Sequence, residues 1–210
     1  MNKKRLLTIA ALLVFLICLS FGVYYYLQLQ DMVKPSWFAL GAYVKYAQIF
    51  HWDENNATEY MTWNLTKVGD TSIDVHISSH GVNVTNGNVA IVPGEANWTM
   101  NAYTREIRQS SDANYAGKKC PFWIRENAKA GSTVDILYGV GTIGVTESIS
   151  AIGLQRDCWV LEYDWPTSSM KRWYDKSTGL CLKIHVTINR QGIIIDITET
   201  AVLTNIDLGS

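Results

Sequence analysis

Proline, excess charge of either sign and metal-type cysteine spacings are scarce or missing in this sequence. Only 4 of the 210 residues are proline and glycine is ordinary, so the composition is neither fibrous nor disordered. The 18 Lys and Arg nearly balance the 19 Asp and Glu, which gives no reason to expect nucleic acid as a partner. No C-x-x-C occurs, so neither a redox motif nor a zinc knuckle is indicated.

Recognisable catalytic motifs are also missing. The sequence has no H-E-x-x-H and no G-x-S-x-G. Residues 139–144 match G-x-G-x-x-G, but the following residues favour a strand rather than the helix that a dinucleotide site needs. His76 and His80 would lie ~13 Å apart along a straight strand, too far to share a metal, at ~3.3 Å per residue. A turn at Ser79–Gly81 that brings them closer is the alternative in which they share a metal. We therefore predict no catalytic residue, no metal site and no cofactor, and expect the protein not to be an enzyme.

The N-terminus carries the clearest targeting signal. Lys3, Lys4 and Arg5 precede an apolar run over Leu6–Tyr26. At ~1.5 Å per residue, a helix of that length would cross a ~30 Å hydrocarbon core. Basic residues stay on the cytoplasmic side, so we predict a transmembrane anchor or signal segment over 1–30 and an extracytoplasmic domain over 31–210. Cleavage after Gly22 is the alternative and would give a secreted protein.

Four Asn-x-Ser/Thr sequons support export of the domain. All of them lie between residues 56 and 99, and each is a candidate N-glycosylation site. The acceptor residues are Asn56, Asn64, Asn83 and Asn97. If they are used, sugar would cover one part of the surface.

Cys120, Cys158 and Cys181 lie outside the N-terminal segment. An oxidising exterior allows one disulfide among them, and three pairings are possible. We favour Cys158–Cys181, because these two residues fall in neighbouring strands of one predicted meander.

Alternating apolar residues predict β-structure throughout the exported part. Ile73, Val75 and Ile77 share one face of a strand, and Asn86-Gly87 is a strong hairpin signal. A turn is expected at Ser79–Gly81. About 11 or 12 strands with short links favour a single antiparallel meander, as a curved sheet or half-barrel after the N-terminal helix.

The segment Asp175–Gly179 links two predicted strands and resembles a site because of its charges. Asp at the start of a type I turn accepts backbone N–H bonds, and Gly at the end tolerates positive φ. A structural role is therefore expected for Asp175, so that replacing it by Asn should be nearly neutral.

Eight tryptophans are spread along the chain, which is many for one core. Trp52 and Trp165 fall in apparent loops beside acidic residues, where exposed rings suit sugar stacking or line an apolar cleft. The candidate ligand-binding residues are Trp52, Trp63, Trp123, Trp159, Trp165 and Trp173.

Three stretches carry a resemblance to known proteins: Cys120–Ile124, Cys158–Tyr163 and Trp173–Leu180. Together they are similar to uncharacterised, membrane-anchored β-rich proteins of archaeal cell surfaces. The strand order also resembles that of LolA-type lipoprotein carriers, which implies a curled antiparallel sheet with an apolar concave face.

We therefore predict a membrane-anchored, extracytoplasmic module that binds an apolar ligand, a glycan or a surface protein. The expected location is the cell membrane, with a single span and the C-terminal domain outside. A structural component of the cell envelope is the first alternative, and an extracytoplasmic hydrolase is the second.

Overall fold

The protein folds as a single antiparallel sheet with short connections. The structure is a computed structural model, which describes residues 34–137 and 139–208. Lys34–Ser210 form one compact unit. The strands are β1 (Tyr43–Trp52), β2 (Asn55–Val68), β3 (Ser72–Thr85), β4 (Asn88–Asn101), β5 (Ile107–Ser110), β6 (Thr133–Ile136), β7 (Gly139–Ala151), β8 (Leu154–Trp165), β9 (Ser168–Asp175), β10 (Cys181–Arg190) and β11 (Ile193–Thr204). The helical element among the described residues is one 3-10 turn, Ala113–Tyr115.

The strand order is β5-β4-β3-β2-β1-β11-β10-β9-β8-β7-β6. The chain therefore forms two meanders that meet where β1 pairs with β11, and β5 and β6 are the open edges. The all-β antiparallel prediction is confirmed with eleven strands. A single continuous meander is wrong, because the first strand lies beside the last one.

The turn predicted at Ser79–Gly81 is absent. β3 runs without a break through these residues, and its partner β4 runs without a break through Pro93-Gly94. Asn86 and Gly87 have φ values of 51° and 79°, which confirms the predicted hairpin between the two strands. Within residues 122–125, Trp123 forms an isolated bridge with Leu180.

Register assigns the side chains to two faces of the sheet. The face that carries Tyr46 and Trp63 is called the inner face here, and both residues are fully buried. The opposite, outer face carries exposed side chains such as Ile49 and Tyr60. This alternation follows from the two-residue period of a strand.

The crossing segment, Cys120–Ile124, covers the inner face of β1–β4. The ring of Phe122 stacks between Trp63 and Trp98, with centroid separations of 5.6 and 5.7 Å. Trp123 packs edge-on against Trp37 at 5.7 Å. This part of the inner face is therefore filled by the protein's own aromatic rings.

A second element, the β3–β4 ribbon (residues 79–94), crosses the same face further along. β2 pairs with β3 only as far as Ser78, while β3 and β4 stay paired to their turn. The Gln48 side chain on β1 accepts a hydrogen bond from the His80 N–H at 3.0 Å, although β2 lies between these strands. Since Gln48 points to the inner face, the ribbon must fold over that face.

The predicted transmembrane helix and the boundary at residue 30 lie outside the described residues. Within residues 34–137 and 139–208, no helix has the length and apolar character that a membrane span requires.

Candidate functional site: an inner hollow at one end of the sheet

Three rows of side chains cross the inner face of β1, β11, β10, β9 and β8. Each row is fixed by the register of the paired strands. The floor row is Gln48, Glu199, Ile184, Arg172 and Leu161. The wall row is Phe50, Ile197, Val186, Met170 and Tyr163. The rim row is Trp52, Ile195, Ile188, Ser168 and Trp165. We call the part of the inner face that these three rows form the inner hollow.

Three apolar side chains on the middle strands of the hollow are partly exposed. Val186 and Ile188 on β10 and Ile197 on β11 are only half-buried, although they are apolar and point to the inner face. Their neighbours Ile184 and Ile195 are 3% and 0% exposed, and at the flanks Phe50 is fully buried and Tyr163 is 8% exposed. The inner face therefore offers a strip of accessible apolar surface along β10 and β11.

The rim places two predicted ligand-binding residues at the same end of the sheet. β1 and β8 run in the same direction, and Trp52 and Trp165 are their last residues. The two side chains therefore lie at the same end of the sheet. Both are half-buried, and Trp165 stacks on Tyr163 with ring centroids 5.7 Å apart. The two tryptophans flank the accessible apolar strip from opposite sides.

The β3–β4 ribbon reaches this end of the sheet. Arg190, at the end of β10, donates from Nη1 to the Val82 carbonyl at 3.4 Å. Gln48 also contacts the ribbon through the His80 backbone. The ribbon therefore bounds the hollow on the side of β1.

The floor row contains polar groups that the sequence analysis did not single out. Gln48 is 1% exposed and donates from Nε2 to the Glu199 carboxylate at 2.8 Å. Burial raises the pKa of Glu199 above its ordinary value, and the hydrogen bond from Gln48 and the charge of Arg172 offset this only in part. The sequence could have placed Gln48 on the buried face, because side chains alternate along a strand and Gln48 shares its face with Tyr46 and Phe50.

Arg172 is the buried cation of the floor, 5% exposed. Its Nε donates to the Met170 sulfur at 3.0 Å, and its Nη1 donates to the Pro121 carbonyl at 3.4 Å. Burial opposes the charge, but the surrounding groups, foremost Tyr174, keep its pKa above the ordinary value. The guanidinium therefore stays charged inside a largely apolar region.

The other predicted ligand-binding tryptophans are not gathered at the hollow. Trp63 and Trp123 are 0% and 1% exposed and belong to the core between the sheet and the crossing segment. Trp173 lies on the outer face, where its Nε1 donates to Glu147 at 2.7 Å. Trp159 is half-buried with the Lys176 ammonium 4.1 Å from its ring.

The Asp175–Gly179 turn has the expected geometry. Asp175 Oδ1 accepts from the N–H groups of Ser177 and Thr178 at 3.0 and 2.9 Å, and Gly179 has φ of +70°. The sequence analysis missed Arg156, whose Nε donates to Asp175 Oδ2 at 2.7 Å. Burial alone would raise the Asp175 pKa, but Arg156 and the turn donors outweigh it and hold the pKa below its ordinary value. The expectation that Asn would be nearly neutral here is therefore corrected.

The predicted Cys158–Cys181 disulfide is not formed. Cys158 lies on β8 and Cys181 on β10, with β9 between them, and register places their side chains on opposite faces. Strands two places apart are separated by about 9.6 Å, beyond the Cα separation that a disulfide allows. All three cysteines, including Cys120, are free and buried. Burial raises the pKa of Cys181 to about 11 and the pKa values of Cys120 and Cys158 to about 12.

The sequon asparagines lie away from the hollow. Asn56, Asn64 and Asn97 are on the outer face by register, and Asn83 is exposed on the β3–β4 ribbon. Asn64 is half-buried, and the Asn97 side-chain oxygen lies 2.9 Å from His76 Nδ1. Sugar on the outer face would leave the inner hollow uncovered.

Comparison with known proteins adds little information about the function of the chain. No family model matches the chain, and no curated protein matches it. The chain is weakly similar to a crystal structure of a DUF1329 family protein from Desulfovibrio piger, with 11% identity and a TM-score of 0.25. The alignment covers 82% of this chain and 88% of that chain. Similarity at this level does not establish a shared function, and the resemblance to archaeal surface proteins stays a prediction.

Proposed function

We propose that this protein binds an apolar ligand in the inner hollow, with Trp52 and Trp165 at its rim. The observation that carries the proposal is the half-buried apolar strip of Val186, Ile188 and Ile197 on the inner face. Apolar side chains on the inward side of a sheet are normally packed, and sites for small molecules are concave and mostly apolar.

The contrast between the two ends of the inner face supports this proposal. At one end, Trp63 on β2 and Phe122 on the crossing segment are 0% and 5% exposed, so the protein's own side chains fill that part of the inner face. At the other end the middle strands keep accessible apolar surface beneath the β3–β4 ribbon. A hollow bounded on one side by a ribbon and at its rim by tryptophan suits an elongated apolar molecule better than a glycan.

We further propose that the domain lies outside the cytoplasm on an N-terminal anchor. The support is Lys3-Lys4-Arg5 before the apolar run, together with three sequons on the outer face. A reporter that works only outside the cytoplasm, fused after Ser210, should be active. Activity of a cytoplasm-dependent reporter at the same position would contradict this location.

The test of binding uses a neutral fluorescent apolar probe, N-phenylnaphthylamine, with the purified full chain. Uptake should be saturable and insensitive to added salt, because apolar burial is not screened. Ile197→Gln in the hollow should weaken binding about tenfold, since it introduces a polar group into an apolar contact. The matched control is Ile49→Gln on the outer face, where Ile49 is 48% exposed, and it should leave binding unchanged.

The absence of saturable uptake by the folded chain would refute the binding proposal. It would leave the structural role in the cell envelope as the better account. Equal loss in both variants would also contradict the location, because binding would then not depend on the inner face.

A further inference from the structure

We infer that Arg172 recognises the carboxylate of an amphiphilic ligand whose alkyl chain lies along the apolar strip of the hollow. This inference rests on the proposed apolar site and specifies the chemical class of ligand, a long-chain carboxylic acid. The starting observation is a buried cation that lacks an anionic partner among the residues described.

The hydrogen-bond partners of Arg172 are weak, and none of them is an anion. A guanidinium has five N–H groups, and in the described part of the chain Arg172 bonds to the Met170 sulfur, the Pro121 carbonyl and the Cys181 side chain. The sulfur of Met170 is a weak acceptor, and the bond to Pro121 is long at 3.4 Å. A buried charge in proteins is usually paired, because leaving it without a partner costs several kcal/mol.

No carboxylate of the described chain meets this need. Arg172 takes part in none of the ion pairs found within 4.0 Å among residues 34–137 and 139–208. Glu199 shares the floor row but stands two strands away, which is about 9.6 Å at ~4.8 Å per strand. Its carboxylate is already held by Gln48 at 2.8 Å. An anion at Arg172 would therefore have to come from outside the described chain.

The position of Arg172 defines how such a ligand would lie. The floor and the rim are two row steps apart, about 13 Å at ~3.3 Å per residue. A carboxylate at the floor would place the alkyl chain over Val186 and Ile188 toward the rim. Arg and carboxylate form parallel double hydrogen bonds, so a carboxylate is the head group that best matches a guanidinium.

The charge on the floor favours a single negative charge on the head group. Glu199 lies on the same row and is half-buried, so a doubly charged phosphate would be repelled more strongly than a carboxylate. An amine head group would be repelled by Arg172 and attracted by Glu199. The three head groups can therefore be separated by experiment.

The test measures equilibrium binding of radiolabelled palmitate, hexadecanol and hexadecylamine to the purified full chain at pH 8. The wild-type protein should bind palmitate at least about tenfold more tightly than hexadecanol, as expected for a charge-assisted hydrogen-bonded pair. Arg172→Met should abolish this preference, while hexadecanol should still bind. Arg172→Lys should keep part of the preference, and Arg108→Met, at an exposed position of edge strand β5, should keep all of it.

The outcomes separate the two proposals. If palmitate binds no more tightly than hexadecanol, the carboxylate inference fails while the apolar site stands. The same conclusion follows if Arg172→Met keeps the preference for palmitate. If hexadecylamine is preferred, Glu199 is the recognising group and the inference is wrong. If no alkyl ligand binds, both proposals fail. If Arg172→Met does not fold, the Arg172→Lys variant decides the question. Lysine keeps the charge but cannot form the double hydrogen bond of a guanidinium. An unchanged preference for palmitate over hexadecanol in a folded Arg172→Lys variant would therefore contradict bidentate recognition.

Discussion

Replacement of Asp175 by Asn is expected to destabilise the protein strongly, although the two side chains have nearly the same shape. The Asn oxygen can still accept the hydrogen bonds of the turn. Its NH2 group, however, would replace the oxygen that accepts from Arg156, so that two hydrogen-bond donors would face each other. The Asp175 side chain is 2% exposed and the Arg156 side chain 12%, so water cannot readily replace the lost partner. Breaking a buried pair from one side costs about 3–5 kcal/mol.

That value has to be reduced for this site. Arg156 keeps hydrogen bonds from Nη2 to Ser177 Oγ and to the Leu208 carbonyl. We therefore expect a loss of about 2–4 kcal/mol, which corresponds to roughly 5–15 °C in Tm for a domain of this size. Asp157→Asn, which removes an exposed carboxylate on neighbouring β8, is the matched control and should be nearly silent.

Urea unfolding of both variants between pH 2 and pH 7 measures this effect. Because the folded-state pKa of Asp175 is lowered, its contribution is present above the unfolded pKa of about 4 and is lost as pH falls through the folded value. The gap between wild type and Asp175→Asn should therefore close in acid. A gap below about 0.5 kcal/mol at pH 7, within the usual range of surface substitutions, would show that Asp175 only shapes the turn.

Two further predictions concern the same loop and the floor of the hollow. Gly179→Ala should cost at least about 3 kcal/mol, because left-handed backbone penalises a side chain and the new Cβ would lie 2.3 Å from the Ile124 carbonyl oxygen; a variant with wild-type stability in urea would contradict this geometry. Glu199→Gln should make the protein more stable at pH 7 than wild type, but not at pH 3. The pKa of Glu199 is raised, so the stability associated with its protonated form is lost as pH rises through the folded value. Thermal melts at the two pH values test this, and a destabilised variant at pH 7 would show that ionised Glu199 is a favourable partner for its neighbours.

Local parts of the fold could be predicted from sequence because their causes are local. Asn86-Gly87 adopts positive φ at both residues, and Gly179 does so at the end of its turn. The continuous strand through Gly81 could not be predicted in this way. Its partner is Val92 on β4, so pairing across the ribbon overrides the turn preference of the glycine.

The hollow could not be predicted from sequence because it depends on non-local register. Trp52 and Trp165 lie at the same end of one sheet only because β1 pairs with β11, so that the two meanders join. The Arg156–Asp175 pair likewise depends on how β8 and β9 are aligned. Composition could suggest that some tryptophans line a cleft, but only the register separates Trp165 at the rim from Trp63 in the core.

Photo-crosslinking tests the apolar hollow most directly. A neutral alkyl probe that carries a diazirine would be bound to the full chain, irradiated, and its adducts located by peptide mass spectrometry. Adducts on the peptides that contain Val186, Ile188 and Ile197 are the predicted result, and excess unlabelled alkyl ligand should suppress them. Adducts mainly at exposed apolar residues of the outer face, such as Ile49 and Tyr60, would contradict the account.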